Sequence, residues 1–238
     1  MIVVSILLAF AIDAWWDSAQ ERSKEDSYLR QLASDLESTL ANIERFGGRA
    51  DAIDPAVARL VQSYYEAEPP SRDSLAEWLS DTGYWVVQPR LGTAEALVTT
   101  GDLTLIRDDS LRSFIPNYLT NMTAFESFEA AGEQRYREAS SRLATHIDPV
   151  RMRLETMSPA ARDSLSDFPG ERDALSPLPV GVPRTMPPLD LQTIVRGPEV
   201  HSILLQMLQA KRQMKAYRTL MRTESETLIG LVHSAQAR

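Results

Sequence analysis

Apolar and polar positions follow a helical period along most of this 238-residue chain. Leu29, Leu32, Leu36, Leu40 and Ile43 recur at three- and four-residue steps with charged residues between them, the spacing that lays one apolar stripe along a helix. Phe46-Gly47-Gly48 predicts the end of that helix, because paired glycines are poor helix interior and favour a C-terminal stop. Asp54-Pro55 reads as an N-cap followed by proline at the first helical position, opening a short helix through Val57, Leu60, Val61 and Tyr64 that Pro69-Pro70 stops. Ser74-Leu75-Ala76-Glu77 reads as a capping box for a second short helix carrying Leu75, Trp78 and Leu79, ended by Gly83. Tyr84-Trp85-Val86-Val87 stands ahead of Pro89 and has no partner strand of comparable strength, so it predicts an extended connector lining the core.

Thr93 to Thr100 predicts a two-turn helix closed by Gly101, and Asp108-Asp109-Ser110 caps a much longer one. The long stripe runs Leu111, Ile115, Tyr118, Met122, Phe125, Phe128, Tyr136, Ala139, Leu143 and Ile147, with Pro116 tolerated or kinking near its start and Pro149 bending or ending its far end. From Phe168 to Pro188 six prolines exclude regular helix and favour an extended crossover. Gly197-Pro198-Glu199 then starts the last long helix, with Val200, Ile203, Leu204, Met207, Ala210, Met214, Tyr217, Met221, Leu228 and Leu231 on one side. Met207, Met214 and Met221, at seven-residue spacing, read as core or coiled-coil seam. No internal repeat is visible.

The first residues follow another pattern. Ile2 to Ile12 is apolar on every side apart from Ser5, and it ends at Asp13-Ala14-Trp15-Trp16-Asp17. Indole rings join a large apolar body to one N–H donor, so Trp15 and Trp16 are candidate residues for a membrane–water interface. A helix over residues 1–16 would be roughly 24 Å long, against a hydrocarbon core of ~30 Å, and a mis-assigned start that removes an upstream turn would explain the shortfall. A cleaved signal, with Ala9-Phe10-Ala11 as its cleavage site, and a buried core helix are the alternatives to an uncleaved anchor. Arg22 and Asp26, one turn apart, give the segment that follows a solvated face of mixed sign.

Composition narrows the chemistry. A net charge of −8 and a pI near 5.0 argue against a nucleic-acid surface, and the absence of cysteine removes disulfides and thiolate metal sites. His146, His201 and His233 are far apart with no second ligand at helical spacing, and no nucleophile elbow, phosphate loop or dinucleotide fingerprint occurs. Asp102, Asp108 and Asp109 could form an acidic metal cluster, but capping is the simpler account. Lys211, Lys215, Arg218 and Arg222, at i, i+4, i+7 and i+11, form one basic stripe; a solvated or salt-bridged face is the default, and contact with a partner or anionic headgroups is the functional alternative.

Three stretches together resemble an uncharacterised family of bacterial single-pass membrane proteins, a domain of unknown function: Ile6–Leu36 (ILLAFAIDAWWD…ERSKEDSYLRQLASDL), Leu91–Tyr118 (LGTAEALVTTGDLTLIRDDSLRSFIPNY) and Leu191–Tyr217 around RGPEVHSILLQMLQAKRQMKAY. The resemblance implies an anchor in the bacterial inner membrane and a helical domain on its periplasmic side; it supplies no activity, ligand or catalytic residue. Members of that family usually carry a short basic stretch ahead of the anchor, which this chain lacks. Arg22, Lys24 and Arg30 after the apolar run would by themselves favour a cytoplasmic domain.

The expected fold is therefore all-α: a transmembrane anchor over 1–16, a helical stalk over 17–46, a helical domain over 47–165 with a long helix at about 109–148, a Pro-rich linker over 166–190, and a long C-terminal helix within 191–238 packing on the bundle. The expected function is a non-enzymatic scaffold or sensor that contacts the lipid bilayer and a protein partner or a second copy, with no cofactor. A small-molecule-binding sensory bundle is the alternative, and an enzyme with dispersed site residues comes third.

Overall fold

The computed structural model describes residues 2–148 and 189–237, and among them every regular element is helical. In order these are α1 (Ile2–Ser63), α2 (Arg72–Ser80), α3 (Gly92–Thr100), a 3-10 turn (Asp102–Leu105), α4 (Asp109–His146), α5 (Leu191–Val195) and α6 (Pro198–Gln236). The all-α, long-helix class expected from the periodicity is the observed one. The Pro-rich linker assigned to 166–190 falls outside the described residues except for its last two, as do Pro149 and the 149–165 part of the preceding domain.

The transmembrane anchor expected over 1–16 is not shown as a span: among the described residues no helix is long and apolar enough to cross a membrane. The run from Ile2 to Ile12 covers about 17 Å at ~1.5 Å per residue, and Asp13, Asp17 and Glu21 follow it within the same helix. The break expected at Gly47-Gly48 and the new start at Asp54-Pro55 are also absent, because α1 runs through both. A glycine in a helix interior costs about 1 kcal/mol and a proline about 3, but local propensity is a weak prior that packing overrides. Here Leu36 and Ile43 before the glycines, and Ala50, Val57 and Leu60 after them, are all buried.

The chain divides into two compact units, the first built from Met1–Gly48, Val86–Glu129 and Lys215–Arg238, the second from Arg49–Trp85 and Ala130–Met214. Each has its own core. In the first unit Leu29, Leu32, Leu36 and Ile43 of α1 pack with Leu97 of α3, Leu111, Ile115, Tyr118 and Met122 of α4, and Met221, Leu228 and Val232 of α6. In the second, Val57 and Leu60 of α1 and Leu75 and Leu79 of α2 pack with Tyr136, Ala139 and Leu143 of α4 and Ile203, Leu204, Met207 and Met214 of α6. In that unit α4 and α6 approach closely at Gly132, where a Cβ would come within 2.9 Å of Met214 Cγ.

Caps place the short elements. The α2 N-cap is Ser71, one turn earlier than the expected Ser74; its Oγ accepts the Ser74 N–H at 3.1 Å. Helix α3 is capped by Asp35 of α1, whose Oδ2 accepts the Thr93 N–H at 3.1 Å and the Thr93 hydroxyl at 2.6 Å. It closes at Gly101, where φ of 83° is a left-handed conformation open to glycine. Asp108 caps α4 by accepting the Leu111 N–H at 3.0 Å, and Pro116 sits inside that helix without ending it.

Candidate functional site

Helix α1 is exposed over nearly every position from Phe10 to Lys24, and the next residue, Glu25, is buried. Of the 17–46 stretch expected as a stalk, the part from Glu25 onward packs into the core of the first unit, and only 17–24 are exposed at nearly every position. Glu25 anchors this transition, with its carboxylate accepting the Arg107 backbone N–H at 2.8 Å and the Arg107 Nε–H at 2.5 Å. Ahead of it, Trp15 and Trp16 are 62% and 65% exposed, and Phe10 and Ile12 are exposed with them. Trp15 and Trp16 therefore belong to neither core.

The basic stripe does not survive as one surface. Lys215 and Arg222 are exposed, whereas Lys211 and Arg218 are buried. A shared docking face for all four cations is therefore corrected, and the reason is helical phase. Met207, Lys211, Met214, Arg218, Met221, Ser225 and Leu228 alternate at steps of four and three, so the two cations occupy the same inward seam as the methionines. In the first unit the Arg218 guanidinium lies 4.0 Å from the Glu129 carboxylate, their side chains 6% and 1% exposed. Ser225 meets the Tyr118 hydroxyl at 3.2 Å in the same core. In the second unit Lys211 Nζ stands 5.8 Å from the centroid of the Tyr136 ring.

Glu129 also corrects the stripe expected on α4. Phe128 is 48% exposed and stacks on Tyr217 at 5.0 Å, while the inward position belongs to Glu129. That carboxylate holds the extended connector as well, since its Oε1 accepts the Val87 N–H at 3.4 Å. Further along, the Arg90 N–H donates to Thr39 Oγ1 at 2.8 Å. Within the second unit the Tyr84 hydroxyl donates to Glu133 at 3.0 Å and accepts from Arg137 Nε at 2.7 Å, and the Tyr136 hydroxyl donates to the Thr82 carbonyl. Tyr84–Val87 carries neither helix nor strand, as the sequence predicts, but it lines the cores only in part: Val87 is fully buried and Tyr84 partly buried, while Trp85 is exposed.

The acidic residues proposed as an alternative metal cluster have separate structural partners. Asp108 is the α4 cap, Asp109 pairs with Arg112, and Asp102 accepts the Tyr28 hydroxyl at 2.6 Å. That hydroxyl, with the Thr100 hydroxyl second, holds the Asp102 carboxyl below its ordinary pKa. Among the described residues no group of three or more His, Asp or Glu side chains is placed to hold a metal ion.

Of the histidines, His146 lies 3.7 Å from Glu199 and His233 is exposed. His201 is buried in the second unit. Its ring stacks on Tyr64 at 3.9 Å, its Nε2 is 3.0 Å from the Tyr65 hydroxyl, and its Nδ1 is buried without a hydrogen-bond partner among the described residues. Burial lowers the His201 pKa, so the folded state favours the neutral ring. Below the ordinary value of about 6.5 the unfolded chain binds the proton more readily. The contribution of His201 is therefore complete above that pH and is lost as pH falls toward the depressed folded value. Urea midpoints measured at about pH 7.5 and 5.5 should drop more in the native chain than in His201→Phe; equal drops would refute this assignment.

No family model, curated protein or solved structure matches the chain.

Proposed function

We propose that this chain is a membrane-attached, non-enzymatic helical scaffold or sensor, with the tip of α1 seated in the bilayer and the helical units working through protein contacts. The observation that carries the reading is the exposed set Phe10, Ile12, Trp15 and Trp16 ahead of a solvated stretch of the same helix. At ~100° per residue Ile12, Trp15 and Trp16 fall within about 100° of one another and Phe10 lies on the opposite side of the helix, so a single flat partner would leave Phe10 in water. A lipid medium surrounds them all. The paired indoles at the edge of the apolar run suit the headgroup level, and residues 17–24 then form a short stalk emerging into water. The sequence resemblance favours the inner membrane of a bacterium, with the helical units on the periplasmic side.

Support for a scaffold comes from the interior. Both cores are packed mainly from aliphatic, methionine and tyrosine side chains, and several charged or hydroxyl groups at seam positions meet a partner within their own unit. Work through contacts then falls to exposed faces, with a protein partner or a second copy as the occupant.

Flotation of the full chain with phosphatidylcholine vesicles tests the attachment. Seating a large apolar side chain contributes about 1.5–3 kcal/mol, so Trp15→Asp with Trp16→Asp should reduce the floated fraction at least about tenfold. A native chain that stays in the aqueous fraction, or a double variant that floats equally well, would overturn the reading.

A further inference from the structure

The first unit contains a groove of about 480 Å³ lined by Asn42, Phe46, Val86, Gln88, Pro89 and Arg90. That volume lies within the usual range for sites taking small molecules, about 300–1,000 Å³. One wall is the α1 face carrying Asn42 and Phe46, and the other is the extended connector. The connector is held on both sides of Gln88-Pro89, by Val87 N–H on the buried Glu129 carboxylate at 3.4 Å and by Arg90 N–H on Thr39 at 2.8 Å. Proline adds a fixed φ between those two attachments. The wall is thus ordered before any ligand arrives, which removes part of the entropic cost of binding.

The chemistry of the lining is one-sided. In a chain of net charge −8, the six lining residues include no Asp or Glu, one arginine and two residues with carboxamide side chains. Phe46, Val86 and Pro89 supply the apolar surface, and a second guanidinium, that of Arg45, stands 5.6 Å over the Phe46 ring. Guanidinium pairs with a planar carboxylate through two parallel hydrogen bonds, and carboxamide N–H groups add neutral donors.

We infer that this groove binds a small organic carboxylate with a flat apolar body, the carboxylate on Arg90 with Asn42 and Gln88 and the body against Phe46 and Pro89. The inference goes beyond the membrane-attached scaffold and stands whether or not the α1 tip enters lipid. It gives the first unit a ligand to sense.

Amide NMR titration of the full chain in a neutral detergent, with phenylacetate as the probe, tests it. Saturable shifts are expected at Asn42, Phe46, Val86, Gln88 and Arg90. Phenylacetamide keeps the ring and loses the charge, and acetate keeps the charge and loses the ring; each should bind at least about tenfold more weakly. Arg90→Gln, at an exposed side chain whose backbone N–H remains, should raise the dissociation constant by a similar factor without changing helicity or melting. Asn42→Ala is the second variant and should weaken binding less. Shifts that do not saturate, that lie elsewhere, that are equal for phenylacetate and phenylacetamide, or that are unchanged in Arg90→Gln would each overturn the assignment.

Discussion

Arg218→Ala should destabilise the protein by about 3–5 kcal/mol, a larger loss than removal of an exposed cation, which typically costs ~1 kcal/mol or less. The reason lies in what remains. Glu129 is buried to 1% exposure, and its carboxylate would lose the guanidinium 4.0 Å away while staying enclosed in the first unit. Replacing both partners separates this cost from the value of the pair. A buried ion pair exchanged for apolar residues of similar size is often neutral or stabilising, so Glu129→Leu with Arg218→Leu should recover much of the loss. Recovery should fall short by about 1–3 kcal/mol, because leucine cannot accept the buried Val87 N–H. Glu129→Gln with Arg218→Leu keeps an acceptor there and should recover more. Urea denaturation of the four proteins reads the series, and an Arg218→Ala midpoint close to that of the native chain would show that the pair carries little.

Leu36→Ala is expected to cost about 2–5 kcal/mol and to lower the melting temperature by many degrees. Leu36 is fully buried among Leu32, Ile43, Ile115 and Tyr118 of the first core, so truncation removes transfer energy and leaves a cavity. Phe125→Ala offers the contrast. Periodicity puts both residues in the seam, but Phe125 is only partly buried, 6.3 Å from the Tyr217 ring at the margin of the core. Its truncation should therefore cost clearly less than the Leu36 truncation. Equal losses, or the reverse order, would mean that the inward faces of α1 and α4 have been misassigned. Scanning calorimetry of the two variants and the native chain decides it.

The sequence contains more of the seam than an apolar stripe reveals. On α1, Glu25, Leu29, Leu32, Leu36, Thr39 and Ile43 alternate at steps of four and three and are all buried. On α4, Met122, Phe125, Glu129, Gly132 and Tyr136 continue the same alternation, as Met207 to Leu228 does on α6. Reading only apolar residues put Leu40 and Phe128 into the stripes where Thr39 and Glu129 belong, and put Lys211 and Arg218 on a surface. Unbroken alternation of threes and fours was the signal available for these positions.

By itself, then, the sequence determined the all-α class, the burial of Met207, Met214 and Met221, the Asp108 and Gly101 boundaries, the absence of helix and strand at Tyr84–Val87 and the apolar run that ends at Trp15 and Trp16. Each follows from interactions within a few residues, or from a period that one helix displays alone. Only the tertiary structure decided that α1 runs through Gly47-Gly48 and Pro55, that Asp35 caps α3, that Glu129 meets Arg218 and holds Val87, and that Asn42 and Arg90 line one groove. A charged residue is stable on a seam only when a partner distant in the chain compensates its lost hydration, and its own neighbours in sequence carry no record of that partner.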